Sequence, residues 1–334
     1  LIIKKITAKM ASQAHELDSL FNAGGINNKV DFLNERSEKN SDGIYRIDLE
    51  KVKDKKKGWK SVIRLLPNLT KEGTVGQSAI EKITHYVDMK NNKELSGWFD
   101  SAKNFPGEKC ALTDLYYTMI NSKNAILIEK AKCLKYSKKY YSYCLVIEDE
   151  QQPELVGKIM VLQYGKQISE KIKAELNGDI SGESCNVFDL NTGKDLTLIV
   201  KEVGGPNGEI FPEYNSSAFR PNPSSLPIFN AETGKFKNVP LVDGNIDPKF
   251  RTAVKEFLMN REHELENFAP KRLNEEQQSK ISEISNYLTG KASASFAKAQ
   301  TVAANDFDFE EPATPATAAK VETSDSDDFF ADFK

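Results

Sequence analysis

Four runs set the first limit on the fold. "WKSVIRLLP" (59–67), "YYSYCLVIED" (140–149), "GKIMVLQYG" (157–165) and "DLTLIVKEV" (195–203) are rich in β-branched and aromatic residues and are bounded by Gly, Pro, Asn or Asp. Such side chains are stiff at the first rotatable bond and pack well on a pleated surface, so these runs predict strands. Several short strands separated by turn signals point to a small barrel or sandwich, spread over roughly residues 43–241.

Two stretches inside that region read differently. "CALTDLYYTMINSKNAILIEKAKC" (110–133) is more helical than extended, and "QISEKIKAELNG" (167–178) is a helix. The expected class is therefore α+β with a mainly β core. Beyond it, Phe250, Val254, Phe257 and Leu258 fall at i, i+4, i+7 and i+8, and Ile281, Ile284 and Leu288 repeat the pattern before Gly290. With Pro270 between them, these predict two helices and an appendage over 242–290.

The chain carries a formal net charge of −3, which hides two parts of opposite sign. Nine acids against Lys320 and Lys334 leave residues 305–334 at −7, so the remainder carries +4. The terminal stretch has no helical or strand periodicity in "EEPATPATAAK" and ends in "DSDDFFADFK". Residues 291–334 are expected to be a disordered acidic tail in which Asp327, Asp328, Phe329, Phe330, Asp332 and Phe333 form a docking motif for a partner. A polyanion of this kind could also occupy a basic groove. At the other end, residues 1–42 read as a separate segment. Lys4 and Lys5 precede "KMASQAHELDSLFNAGG", a short amphipathic helix ending at Gly24 and Gly25.

No apolar run is long enough to span a bilayer, and "LIIKKITAKM" lacks the layout of a signal peptide. Cys110, Cys133, Cys144 and Cys185 contain no Cys-x-x-Cys pair, which fits a reducing compartment. The three histidines, His15, His85 and His263, form no ligand motif, and there is no P-loop, dinucleotide fingerprint or serine elbow. "GGPNG" (204–208) suits a β-turn. Nothing in the sequence supports an enzyme.

"KAKCLKYSKKYYSYCL" (130–145) carries the functional signal. Lys135, Lys138 and Lys139 alternate with Tyr136, Tyr140, Tyr141 and Tyr143 just before and into the predicted strand. Single-stranded nucleic acid asks for this mixture, because ammonium groups track phosphates while flat rings stack on unpaired bases. The alternative is that the rings are half-buried core and the lysines a solvated face. Along the strand, Tyr141, Tyr143, Leu145 and Ile147 should share one face and Tyr140, Ser142, Cys144 and Val146 the other. Tyr116, Tyr164 with Lys166, Phe211 with Tyr214, and Arg64 repeat the mixture elsewhere and join the candidate DNA-binding set.

Taken in order, "IIKKITAKMASQ", "GWKSVIRLLP", "TDLYYTM", "KKYYSYCLVIEDEQQPELVGKIMVLQYGKQISEKI" and "VKEVGGPNGEIFPEYNSSAF" resemble the single-stranded DNA-binding, helix-destabilising proteins of the T-even phages. No single piece is specific, but the ordered set with its basic start and acidic finish is. The resemblance implies an oligonucleotide-binding (OB-fold) barrel with an inserted subdomain. It also implies a basic arm, with Lys4 and Lys5, for cooperative self-association on DNA. A tail recruiting replication and recombination proteins, and residence in the cytoplasm of an infected bacterium, follow from the same likeness. It places Tyr116, Tyr140, Tyr141, Phe211 and Tyr214 at DNA-facing aromatic positions, with Lys135 and Lys138 in the basic run.

Two departures stand out. That family's zinc knuckle uses one His and three Cys. Here His85 and Cys110 are the only matches, and Thr113 stands at the place of a second thiolate. Four ligands are needed, so no cofactor is expected unless Cys133 or a carboxylate joins. Ile6 also thins the basic cluster of the arm. Other readings left open are a protein-interaction scaffold and a binder of single-stranded RNA.

Overall fold

The computed structural model describes residues 43–45, 47, 58–179, 182–204, 210–230 and 233–290. The basic arm with Lys4 and Lys5, most of the 204–208 stretch expected as a turn, and residues 291–334 lie outside the described residues.

The chain runs β1 (Ile44–Tyr45), β2 (Trp59–Leu66), β3 (Ile80–Val87), β4 (Gly97–Asp100), α1 (Ala111–Ile120), α2 (Ala125–Ala131), β5 (Tyr136–Asp149), β6 (Ile159–Tyr164) and α3 (Lys166–Asn177). It continues through β7 (Asp195–Gly204), β8 (Ile210–Glu213), β9 (Ala218–Phe219), the hairpin strands β10 (Pro227–Asn230) and β11 (Lys235–Asn238), then β12 (Leu241–Val242) and β13 (Asn245–Ile246). Helices α4 (Arg251–Met259) and α5 (Glu275–Thr289) follow. All four predicted strand runs and the helices predicted beyond residue 43 are present, in a mixed α+β, mainly sheet architecture, while the helix predicted before Gly24 and Gly25 lies outside the described residues.

The main sheet follows the path β1, β6, β5, β2, β7, β8, with β3 added on β5, β4 on β3 and β9 on β7. Among the described residues this path does not return on itself. Strand β2 lies between β5 and β7, and only Lys60 of its eight residues is exposed. Burial on both faces fits the apolar residues Val62, Ile63, Leu65 and Leu66 at consecutive and alternate positions alike.

Strand β5 is fourteen residues long and organises the fold. Its first half pairs with β3, from Ile80↔Tyr141 to His85↔Tyr136, and its second half with β2, from Leu66↔Tyr143 to Ser61↔Asp149. The strand therefore begins four residues before the predicted start, and the lysine-rich approach is itself paired. β3 supplies the missing partner.

Alternation along β5 sorts its side chains as expected. Tyr141, Tyr143, Leu145 and Ile147 join a cluster with Leu66, Val161 and Leu226, whereas Tyr140, Cys144 and Val146 join one with Ile63, Leu65 and the α3 residues Ile168 and Ile172. A third cluster holds the insertion together: Val87, Phe99, Leu112, Met119 and Leu134 pack with Ile281, Ile284 and Leu288 of α5. Val254 and Leu258 of α4 enter the first cluster. The helices expected as an appendage thus bury their apolar faces in the same cores as the sheet, at about 1.5–3 kcal/mol per fully buried side chain. α5 is framed by a capping box between Asn274 and Gln277 and by Gly290 at φ 69°.

Tyr143 ties α4's C-terminal side to β5. Its ring is 2% exposed, with the Arg261 guanidinium 4.4 Å from its centroid. Its hydroxyl donates to the His263 carbonyl at 3.2 Å and accepts from the Leu265 N–H at 2.6 Å. Tyr143→Phe leaves that buried N–H without its acceptor and should cost about 1–3 kcal/mol in urea unfolding. DNA affinity of the folded variant should be unchanged; a loss of affinity without loss of stability would count against this placement.

Candidate nucleic-acid interface

Tyr136, Lys138 and Tyr140 occupy alternate positions of β5 and so share one face; Lys139 and Tyr141 belong to the other. The row is seated where β5 leaves β3 for the main sheet. At its far end Tyr140 stacks on Tyr164, centroids 5.5 Å apart and planes 18° off parallel. Burial raises the Tyr140 phenol above its usual pKa, so it stays neutral at physiological pH. At the near end Tyr136 meets the His85 ring edge-on at 5.9 Å.

Further groups converge on the Tyr140 end. Lys166 is exposed at the first position of α3, and Gln167 beside it accepts the Tyr214 N–H through Oε1 at 2.9 Å. Tyr214 is half-buried against the Trp59–Val200 pair. Lys138 lies 2.9 Å from Glu81, so a phosphate would have to compete for its ammonium. Lys135 is partly exposed just ahead of the row. Tyr116, on α1, is half-buried and meets Tyr117 edge-on at 5.3 Å.

Four sequence candidates belong to the interior. Arg64 is 1% exposed, with Nε 2.7 Å from Asp195 and Nη1 donating to the Ser224 carbonyl at 3.0 Å. Tyr143 is held as described above, Tyr164 is 6% exposed and bonded to Ser142 at 3.0 Å, and Phe211 is 3% exposed. All four side chains are buried rather than presented on the surface of the described residues. Tyr141 is partly exposed but stacks on Phe268, 5.2 Å apart, so the Tyr140–Tyr141 pair does not present two rings to one groove.

An aromatic pair with one exposed ring lies outside the sequence candidates. Trp98 of β4 is 54% exposed and sits 4.7 Å from Tyr86, its register partner on β3. Only the pairing of "THYVD" with "GWFD" brings these rings together.

His85 and Cys110 meet, but without a metal set. His85 Nδ1 is 2.8 Å from the Leu134 carbonyl, and Nε2 is 3.1 Å from Thr113 Oγ1 and 3.5 Å from Cys110 Sγ. Burial pushes the Cys110 thiol up, but hydrogen bonds with His85, Ser101 and Thr113 outweigh it and bring the pKa down to about 6. Among the described residues no group of three or more His, Cys, Asp and Glu side chains could hold a metal ion. The four thiols are all unbridged, Cys144 fully buried and Cys133 partly so. Among the described residues no helix is long and apolar enough to cross a membrane.

Residues 57–287 match the family described as "gp32 DNA binding protein like". The chain is 25% identical over 233 residues to the single-stranded DNA-binding protein of Enterobacteria phage T2, covering 69% of this chain and 67% of that one. It is 27% identical over 176 residues to the protein of the same name from Enterobacteria phage T4, covering 52% and 54% of the two chains. The matched span runs from β2 through α4 and most of α5, including the whole of the Tyr136–Tyr140 row, and the chain belongs to the gp32-like DNA-binding protein family.

Proposed function

We propose that this protein is a non-enzymatic, sequence-tolerant binder of single-stranded DNA, with Tyr136, Lys138 and Tyr140 at the centre of its interface. The observation that supports this most directly is the row itself: two rings and an ammonium on one face of β5, with Lys166 and Tyr214 at one end. Rings spaced along a strand offer stacking surfaces to successive bases without reading their edges, and lysines follow the backbone. Tyr116, Lys135 and Lys139 extend the basic and aromatic border. The core is read as a partly open barrel of the OB type. The Lys4–Lys5 arm gives cooperative self-association on DNA, and the acidic Phe-containing tail recruits replication and recombination proteins in the infected bacterium.

Titration of the full chain with labelled oligo(dT) at several salt concentrations tests the reading. Affinity should fall steeply, with log K dropping about 0.7 per neutralised phosphate for each tenfold rise in salt. Matched duplex should bind far more weakly. A flat salt response or equal affinity for duplex refutes the proposal. Tighter binding to a matched RNA oligomer would move it to RNA, and no binding to either would leave the scaffold reading.

A further inference from the structure

Helices α1 and α2 close over β3 around one buried imidazole. His85, Thr113 and Leu134 are each 0% exposed and Cys110 is 3% exposed. The Leu134 carbonyl can only accept, so Nδ1 of His85 carries a proton and donates to it at 2.8 Å. Nε2 is then an acceptor, and it faces the Thr113 hydroxyl at 3.1 Å and the Cys110 thiol at 3.5 Å. A ligating histidine is commonly oriented by this same Nδ1–H contact with a carbonyl. Here, however, the nitrogen left over is already met by the Thr113 hydroxyl, with the Cys110 sulfur beside it.

The donor chemistry does not suit a structural zinc ion. Such a site is closed by four ligands, mostly thiolates and imidazoles. Around His85 there is one thiol, and the neutral Thr113 hydroxyl lies where a second would be needed. Cys133 is turned elsewhere, its thiol 3.0 Å from the Lys130 carbonyl and 3.9 Å from the Met89 sulfur. The apolar residues around the imidazole, among them Val87, Phe99, Leu112 and Leu134, pack continuously with α5. We infer that the insertion is held closed by a hydrogen-bonded centre of His85, Thr113, Cys110 and the Leu134 carbonyl, and that this chain folds without zinc.

The centre is independent of the DNA-binding proposal and is tested apart from it. The full chain is expressed in zinc-supplemented medium and purified without chelator; its metal content is measured by mass spectrometry and its thermal unfolding with and without a strong zinc chelator. Zinc far below one ion per chain and an unchanged melting temperature are expected. Stoichiometric zinc, or a melting temperature lowered by the chelator, overturns the inference. Thr113→Val keeps the shape and removes the hydroxyl, so it should melt at a lower temperature while Thr113→Ser melts close to the parent. If Thr113→Val melts with the parent, the hydrogen-bonded centre is refuted. Should Thr113→Val not fold, Thr113→Ser decides: melting near the parent supports the centre, and an equal failure overturns it.

Discussion

Replacing Tyr136 and Tyr140 together by alanine should weaken oligo(dT) binding by about 2–6 kcal/mol, roughly thirtyfold to more than ten-thousandfold, because each stacked base contributes about 1–3 kcal/mol. The two rings are four positions apart on β5, about 13 Å at strand rise, so their losses should add to within a few tenths of a kcal/mol. Tyr164 stacks on one face of Tyr140 and holds the ring in place, so the proposal requires a base to stack on the other. The double replacement removes rings and no ammonium group, so the salt slope should stay where it was while the affinity drops. That combination separates stacking from phosphate contact. Circular dichroism and urea unfolding establish that the double variant is folded. A folded variant that binds within about threefold of the parent would remove the row from the interface and favour the scaffold reading.

How much of this was legible depended on whether the deciding partner lay near in sequence. Period-two alternation alone placed Tyr140 and Tyr141 on opposite faces of a strand, and the clusters on either side of β5 agree. A glycine stop marked the end of α5, where Gly290 takes φ 69°. What could not be read was set by pairings distant in the chain. The early start of β5 depends on β3, some fifty residues upstream, whose mixed "IEKITHYV" gives a weaker strand signal than the four apolar runs. The burial of Tyr143 depends on His263 and Leu265, and the Trp98–Tyr86 platform on hairpin register. The helices after 250 looked peripheral because an amphipathic pattern tells which face is buried but not against what.

Arg64 shows the same limit with the largest consequence for stability. In "SVIRLL" a lone arginine within an apolar strand reads as a phosphate ligand, yet its guanidinium is 1% exposed and fastened to Asp195 and Ser224, 131 and 160 residues away. The backbone is shaped to receive it: a Cβ on Gly193 would lie 2.8 Å from Arg64 Nη1 and 2.4 Å from the Asp189 carbonyl, so only glycine fits without displacement. Arg64→Met should therefore cost about 3–5 kcal/mol, since it strands the Asp195 carboxylate with only Arg220, a partly exposed partner at 3.6 Å. Adding Asp195→Leu should recover much of the loss, because an apolar pair in place of a buried ion pair is often neutral. Urea unfolding of the parent, the single and the double variant measures both effects. If Arg64 met DNA instead, Arg64→Met would leave stability within about 1 kcal/mol and flatten the salt dependence by about one phosphate, 0.7 in the slope. The buried geometry requires the opposite: a large loss of stability, and in the fraction that remains folded a salt slope equal to that of the parent.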